Sequence, residues 1–105
     1  MASRVVWTEP AVDDLEAAAG YIARDSQRYA AAVVREARDA AMSLKQFSPR
    51  GRVVPELGDP DIREIFVRKF RVIYEIRGQV VFVLGFIHGA RDLGRLWDRG
   101  NPEGG

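Results

Sequence analysis

The spacing of apolar residues changes once along the chain, and this change limits the possible folds more than any other feature. Between Val12 and Phe47 the apolar residues recur every three or four positions, which is the period of an amphipathic α-helix. Between Ile62 and His88 they alternate or run continuously, which is typical of β-strands. The sequence therefore predicts an α+β fold in which the helices come first and most of the sheet follows.

The first half contains a short strand and two helix starts. The β-branched and aromatic run RVVW (residues 4–7) predicts a strand. Thr8 and Ser26 are suitable N-cap residues, so one helix is expected to begin after each of them. Because the connection between the two helices is very short, they are expected to form a helical hairpin, which ends at SPRG (residues 48–51).

The second half predicts three strands after a loop over residues 52–61. Residues 62–68 form the first strand, and the alternating run that begins at Phe70 forms the next. A tight turn at Arg77 and Gly78 leads into residues 79–88, which are nearly all apolar and are expected to lie centrally in the sheet. The expected order is β-α-α-β-β-β, with the helical hairpin packed on one face of a mostly antiparallel sheet. A short C-terminal helix within residues 89–99 completes a single domain (residues 1–99), and residues 100–105 read as a frayed, flexible tail.

Composition excludes several classes of function. The chain of 105 residues has no cysteine and one histidine, His88, so disulfides, thiolate chemistry and a His/Cys zinc site are excluded. It has no glycine-rich nucleotide loop and no Ser-His-Asp order, so neither a cofactor nor a metal is expected. No apolar run is suited to a signal peptide or a membrane span, which predicts a cytoplasmic protein without a membrane partner.

The net charge of +1 conceals a local concentration of basic residues. Arg63, Arg68, Lys69 and Arg71 lie close together in sequence, and Glu64 is the one acidic residue among them. Such a group is compatible with contacts to phosphates. It is equally compatible with solvated strand ends and a turn, and the sequence leaves both interpretations open.

Three stretches of the sequence form a further pattern. They are Trp7 with Ala11, Asp14, Leu15 and residues 21–23 (YIA); GRVVPEL (51–57) followed by IREIFVRKFRVIYEI (62–76); and IHGARDL (87–93). In this order they span nearly the whole chain and resemble toxins of the RelE/ParE superfamily. The resemblance implies the toxin of a type II toxin–antitoxin system, whose growth arrest is relieved by a cognate antitoxin in a complex of several chains.

RelE-like members of the superfamily are ribosome-dependent endoribonucleases that cut mRNA. This chemistry needs a base, cations that stabilise the charged phosphorane, and an acid for the leaving oxygen. The resemblance assigns catalytic roles to Arg71, Arg91 and Glu56, and His88 is the one imidazole available as a base. The chain departs from this pattern at Trp97, where RelE-type nucleases often carry a tyrosine, because an indole cannot act as a base.

Each of these residues also has a purely structural interpretation. Glu56 is suited to a loop carboxylate paired with Arg52, and His88 to a structural histidine at the end of an apolar strand. Arg91 is suited to a local pair with Asp92, and Arg71 to a side chain whose aliphatic part packs beside Tyr74 while its charged end reaches solvent.

ParE-like members resemble inhibitors of DNA gyrase that stabilise its cleaved-DNA state. Binding of this kind needs a surface of fitting shape and charge and no general base, so the near-neutral charge and the IHGARDL ending favour it slightly. The C-terminal residues Arg91, Arg95, Leu96 and Trp97 are then the expected partner contacts. The alternative is that Leu93, Leu96 and Trp97 pack on the edge of the sheet as part of the core. Further partner or nucleic-acid contacts are expected at Arg52, Arg63, Arg68 and Lys69.

Overall fold

The computed structural model describes residues 2–91 and residue 93. It confirms the α+β architecture with an N-terminal helical hairpin. The predicted C-terminal helix and tail fall almost entirely outside the described residues, as do Arg95, Leu96 and Trp97. In chain order the elements are β1 (Arg4–Trp7), α1 (Glu9–Ala23), α2 (Gln27–Ser43), a single 3-10 turn (Ser48–Arg50), β2 (Arg52–Val53), β3 (Ile62–Val67), β4 (Phe70–Arg77) and β5 (Val80–His88).

The five strands form one sheet in the order β1-β5-β4-β3-β2. β1 is parallel to β5, and the other neighbours are antiparallel, so the predicted mostly antiparallel sheet is confirmed. β4 is the middle strand, and β5 lies between β4 and β1.

Three local predictions differ from the structure. β3 ends at Val67, so Arg68, predicted as its last residue, lies in the following turn. Residues 52 and 53, predicted as loop, pair with β3 as the short edge strand β2, because Arg52 lies opposite Glu64 in the ladder. The β4–β5 turn consists of Gly78 and Gln79 and begins one residue later than predicted, since Gly78 supplies the positive φ of +57° that the turn requires.

Local capping explains where the helices begin. The Thr8 hydroxyl accepts a hydrogen bond from the backbone N–H of Ala11 and donates one to the carbonyl of Val83. The Ser26 hydroxyl accepts from the N–H of Tyr29. Both predicted N-caps are therefore confirmed, and Thr8 also ties the start of α1 to β5.

The sheet is covered on both faces, but unequally. The larger core lies between the helices and the sheet, where Val33, Ala37, Val72, Tyr74 and Val83 are buried. A second, smaller cluster lies on the opposite face and comprises Val54, Ile62, Ile73, Ile87 and Leu93. The segment around Val54 and the side chain of Leu93 therefore cover part of the sheet face opposite the helices.

Tyr74 fixes the segment between α2 and β2 to the sheet. Its buried hydroxyl donates to the carbonyl of Ser48 (2.6 Å) and accepts from the N–H of Gly51 (3.0 Å). A Cβ at Gly51 would lie 2.6 Å from the Glu64 carbonyl and 2.7 Å from the Tyr74 hydroxyl, so glycine is needed for this close approach. Among the described residues no helix is long and apolar enough to cross a membrane.

Candidate functional site

Arg71, the first of the predicted catalytic residues, lies on β4 with its side chain only 4% exposed. Its Nε donates to Glu64 at 2.7 Å, and its two terminal nitrogens donate to the two carboxylate oxygens of Glu56, each at 2.9 Å. The Glu64 carboxylate is fully buried and is also paired with Arg52. The guanidinium of Arg71 therefore faces two carboxylates on the sheet face opposite the helices.

These contacts set the electrostatics of the cluster formed by Arg52, Glu56, Glu64 and Arg71. The hydrogen bonds from Arg71 lower the pKa of Glu56, although burial opposes the shift. The pKa of Arg71 is raised, chiefly by Glu56, against the desolvation that burial causes. Because the two arginines and two glutamates carry equal and opposite charge, this cluster offers no net positive charge to a phosphate.

The chain after β5 returns to the same cluster. The Arg71 Nη1 lies 3.5 Å from the backbone carbonyl of Arg91, and the backbone N–H of Leu93 contributes to the lowered pKa of Glu56. The Leu93 side chain is buried in the second apolar cluster. Three predicted site residues, Glu56, Arg71 and Arg91, are thus brought together, although Arg91 joins through its backbone while the residue as a whole is exposed.

His88 lies apart from this cluster. It pairs with Phe70 across the β4–β5 ladder, whereas Arg71 pairs with Ile87, and successive strand residues point to opposite faces of a sheet. The exposed ring of His88 lies edge-on to Phe70, and its Nδ1 accepts a hydrogen bond from the N–H of Ala90. The one histidine and the buried arginine therefore do not share a site.

His88 instead lines a cleft of about 630 Å³ between the helices and the ends of β4 and β5. Tyr21, which is 72% exposed, and the stacked rings of Phe70 and Phe86 give this cleft an aromatic character. Its charged lining residues are of both signs, so the cleft does not select for an anion; they are Asp14, Asp25, Lys69 and Arg91.

Most of the other predicted contact residues are engaged within the protein. Arg52 lies over the exposed ring of Phe66 in addition to its pair with Glu64. The Arg63 guanidinium donates to the backbone carbonyls of Pro49, Gly51 and Pro60.

Arg68 and Lys69 form the β3–β4 turn, and they differ in their contacts. Arg68 forms a two-point ion pair with Glu36 of α2 and lies over the ring of Tyr29. Lys69 forms no ion pair with any residue that the structure describes. A partner role for Arg68 and Lys69 stays a prediction.

The described part of the chain contains no group of three or more residues able to hold a metal ion.

Sequence reasoning missed Glu64 and Leu93 as parts of the site. In the sequence, Glu64 was noted only as the one acidic residue in a basic stretch. Its position on a strand could have indicated its role, because β3 is mostly buried and a buried carboxylate requires a cation beside it. For Leu93 the sequence allowed a core role without indicating which face of the sheet it would join.

Comparison with known proteins adds two matches. The family model described as the ParE toxin of a type II toxin-antitoxin system, parDE, matches residues 5–93. The structure is similar to a chain of a chromosomal ParDE TA system from P. aeruginosa, with 22% sequence identity, a TM-score of 0.67, and coverage of 84% of this chain and 96% of that one. At this identity the structural match supports the fold alone. No curated protein shows a significant match.

Proposed function

The chain belongs to the ParE toxin family of type II toxin–antitoxin systems, and from this premise we propose that it arrests growth by binding DNA gyrase, without catalysing a reaction itself. Membership of this family also supports a cognate antitoxin as its partner, and we propose that this antitoxin holds it inactive in a complex of several chains. The alternative within the superfamily is cleavage of mRNA on the ribosome.

The observation that carries the proposal is the burial of Arg71 between two carboxylates. A cation that stabilises a phosphorane must direct its N–H groups at the reacting phosphate. In Arg71 these donors are occupied by Glu56 and Glu64, and freeing a buried charge from such partners costs about 3 kcal/mol or more. Gyrase binding needs no free cation at this position.

The two candidate bases, Glu56 and His88, also favour gyrase binding over RNA cleavage. Arg71 lowers the pKa of Glu56, and a carboxylate with a lowered pKa is a weaker proton acceptor. His88 lies at the opposite face of the sheet from Arg71. The one imidazole is therefore separated from the cation that RNA cleavage would need beside it.

One observation favours the nuclease alternative. Glu56, Arg71 and the backbone of Arg91 do converge on one sheet face, as the resemblance to RelE-like toxins implies. For cleavage, Glu56 would have to swing away so that Arg71 faces the substrate. The side chain of Glu56 is 30% exposed, so solvent reaches the carboxylate that would have to move.

Pulse-labelling of DNA and protein synthesis, within minutes of inducing the toxin in the absence of antitoxin, tests the proposal. We expect DNA synthesis to fall first. With purified protein, gyrase and plasmid DNA, we expect cleaved DNA to accumulate, whereas programmed ribosomes should leave mRNA intact.

Two single variants distinguish the two activities. Trp97→Ala removes an expected partner contact and should relieve toxicity, whereas His88→Ala removes the imidazole and should retain it. An early fall in protein synthesis, together with cut mRNA on programmed ribosomes, would show that the nuclease alternative is correct. Unchanged growth and unchanged labelling with folded protein would contradict toxicity of either kind.

A further inference from the structure

The Glu56–Arg71 pair touches the last described part of the chain as well as the sheet. The Arg91 carbonyl lies 3.5 Å from Arg71, and Leu93, only 3% exposed, packs with Ile73 and Ile87. Before Leu93, the segment after β5 is tied to the sheet by the Gly89 N–H, which donates to the carbonyl of Lys69.

We infer that Glu56 and Arg71 are positioning residues for the C-terminal segment. They hold the segment that follows β5 against the sheet through the Arg91 carbonyl and through Leu93. This role rests on the proposed function, in which the C-terminal segment contacts the target.

Apolar burial alone is insufficient to hold this segment. Leu93 is the one large apolar side chain in residues 89–93, and it is buried. Burial of a single side chain does not offset the conformational entropy that is lost when a segment of this length is ordered. The polar contacts of Arg71 and Glu56 to this segment are therefore needed to keep Leu93 in place.

The geometry requires an arginine in this role. The planar guanidinium reaches Glu64 with Nε, Glu56 with both terminal nitrogens, and the Arg91 carbonyl with one of them. A lysine ammonium is a compact charge that cannot span these three acceptors. Arg71→Lys should therefore fail to hold the segment even though it keeps the charge.

The chain contains a matched control for this pair. Arg68 and Glu36 form a second two-point Arg–Glu pair, at the β3–β4 turn. The side chain of Glu36 is 41% exposed and that of Glu56 is 30% exposed. Glu56→Ala and Glu36→Ala thus remove similar interactions, but only the first lies against the segment that follows β5.

The decisive measurement is amide hydrogen exchange at Leu93 in the full chain. We expect Glu56→Ala to accelerate it about tenfold or more, because a hydrogen bond to a charged group is lost, and Glu36→Ala to leave it unchanged. Glu56→Gln, which keeps the side-chain shape, should give a smaller increase. Circular dichroism establishes that each variant is folded.

Toxicity of the same variants completes the test. We expect Glu56→Ala to lose growth arrest and Glu36→Ala to keep it. Unchanged exchange at Leu93 in Glu56→Ala would overturn the inference, and so would accelerated exchange with full toxicity. If the wild-type chain fails to block DNA synthesis, the proposed function fails, but the exchange comparison still decides whether Glu56 positions Leu93.

Discussion

At the residue scale, Tyr74 combines a buried ring with two hydrogen bonds that an apolar side chain cannot replace. Tyr74→Phe would leave the Ser48 carbonyl and the Gly51 N–H without their partner. We expect it to lower the free energy of unfolding by about 1–3 kcal/mol, as measured by urea denaturation. Tyr21→Phe is the control, because that ring is 72% exposed and the change should have little effect.

Tyr74 also gives the protein a defined response to alkaline pH. Burial raises the pKa of Tyr74 above its ordinary value near 10. A pKa that is higher in the folded state means that folding favours the protonated phenol, so this stabilisation is complete below about pH 10 and is lost as pH rises through the folded-state pKa. Tyr74→Phe should therefore flatten the fall in stability above pH 10, and an equally steep fall in the variant would contradict this assignment.

Sequence reasoning selected Arg71 but could not determine its environment. Its alternation with Phe70 and Val72 predicted a strand position, and the family resemblance implied a catalytic role for the residue. Its burial depends on Glu56 and Glu64, which lie 15 and 7 residues away in sequence and meet it only when the sheet forms. A contact of that kind leaves no local signature.

At the element scale, the turn between β3 and β4 is held against α2 by one residue. Arg68 has a φ of +54°, a left-handed conformation that is unfavourable for a residue with a Cβ, and its side chain pairs with Glu36. The ion pair therefore keeps the turn in a conformation that the backbone alone disfavours.

Substitution of Arg68 separates these two effects. Arg68→Ala loses the ion pair and keeps the strained backbone, whereas Arg68→Gly loses the same pair and relieves the strain. We expect both variants to be less stable than the wild type to thermal unfolding, with glycine the more stable of the two by about 1 kcal/mol. Equal stability of the two variants would show that the turn relaxes when the pair is lost.

The helices and strands were predicted correctly where the pattern that indicates them lies within a few residues in sequence. Thr8 and Ser26 marked both helix starts, because a cap depends on residues three positions away. β2 was not predicted, because a strand of two residues is too short to show alternation of apolar and polar residues. Arg52 is recognisable as a strand residue only from its pairing with Glu64 in β3. The parallel pairing of β1 with β5, which joins Arg4 to Val80, likewise depends on the complete sheet.

At the scale of the whole molecule, two apolar clusters hold the described residues together. The larger cluster joins the helices to the sheet, and the smaller one joins residues 54–57 and Leu93 to the opposite face. The match to the family model also covers residues 5–93. The proposed partner contacts at Arg95 and Trp97 follow this matched region in sequence.

Truncation tests whether residues 95–105 contribute to the free energy of unfolding of the protein. A chain that ends at Gly94 keeps every described residue of both apolar clusters, and Gly94 keeps the new terminal carboxylate one residue away from Leu93. We expect its free energy of unfolding to stay within about 1 kcal/mol of the full chain, while growth arrest is lost. A loss of roughly 3 kcal/mol or more would instead mean that Leu96 or Trp97 belongs to the core, because that is the cost of deleting a large buried side chain. Loss of toxicity would then follow from a weakened fold, and Trp97 could no longer be assigned to the partner surface.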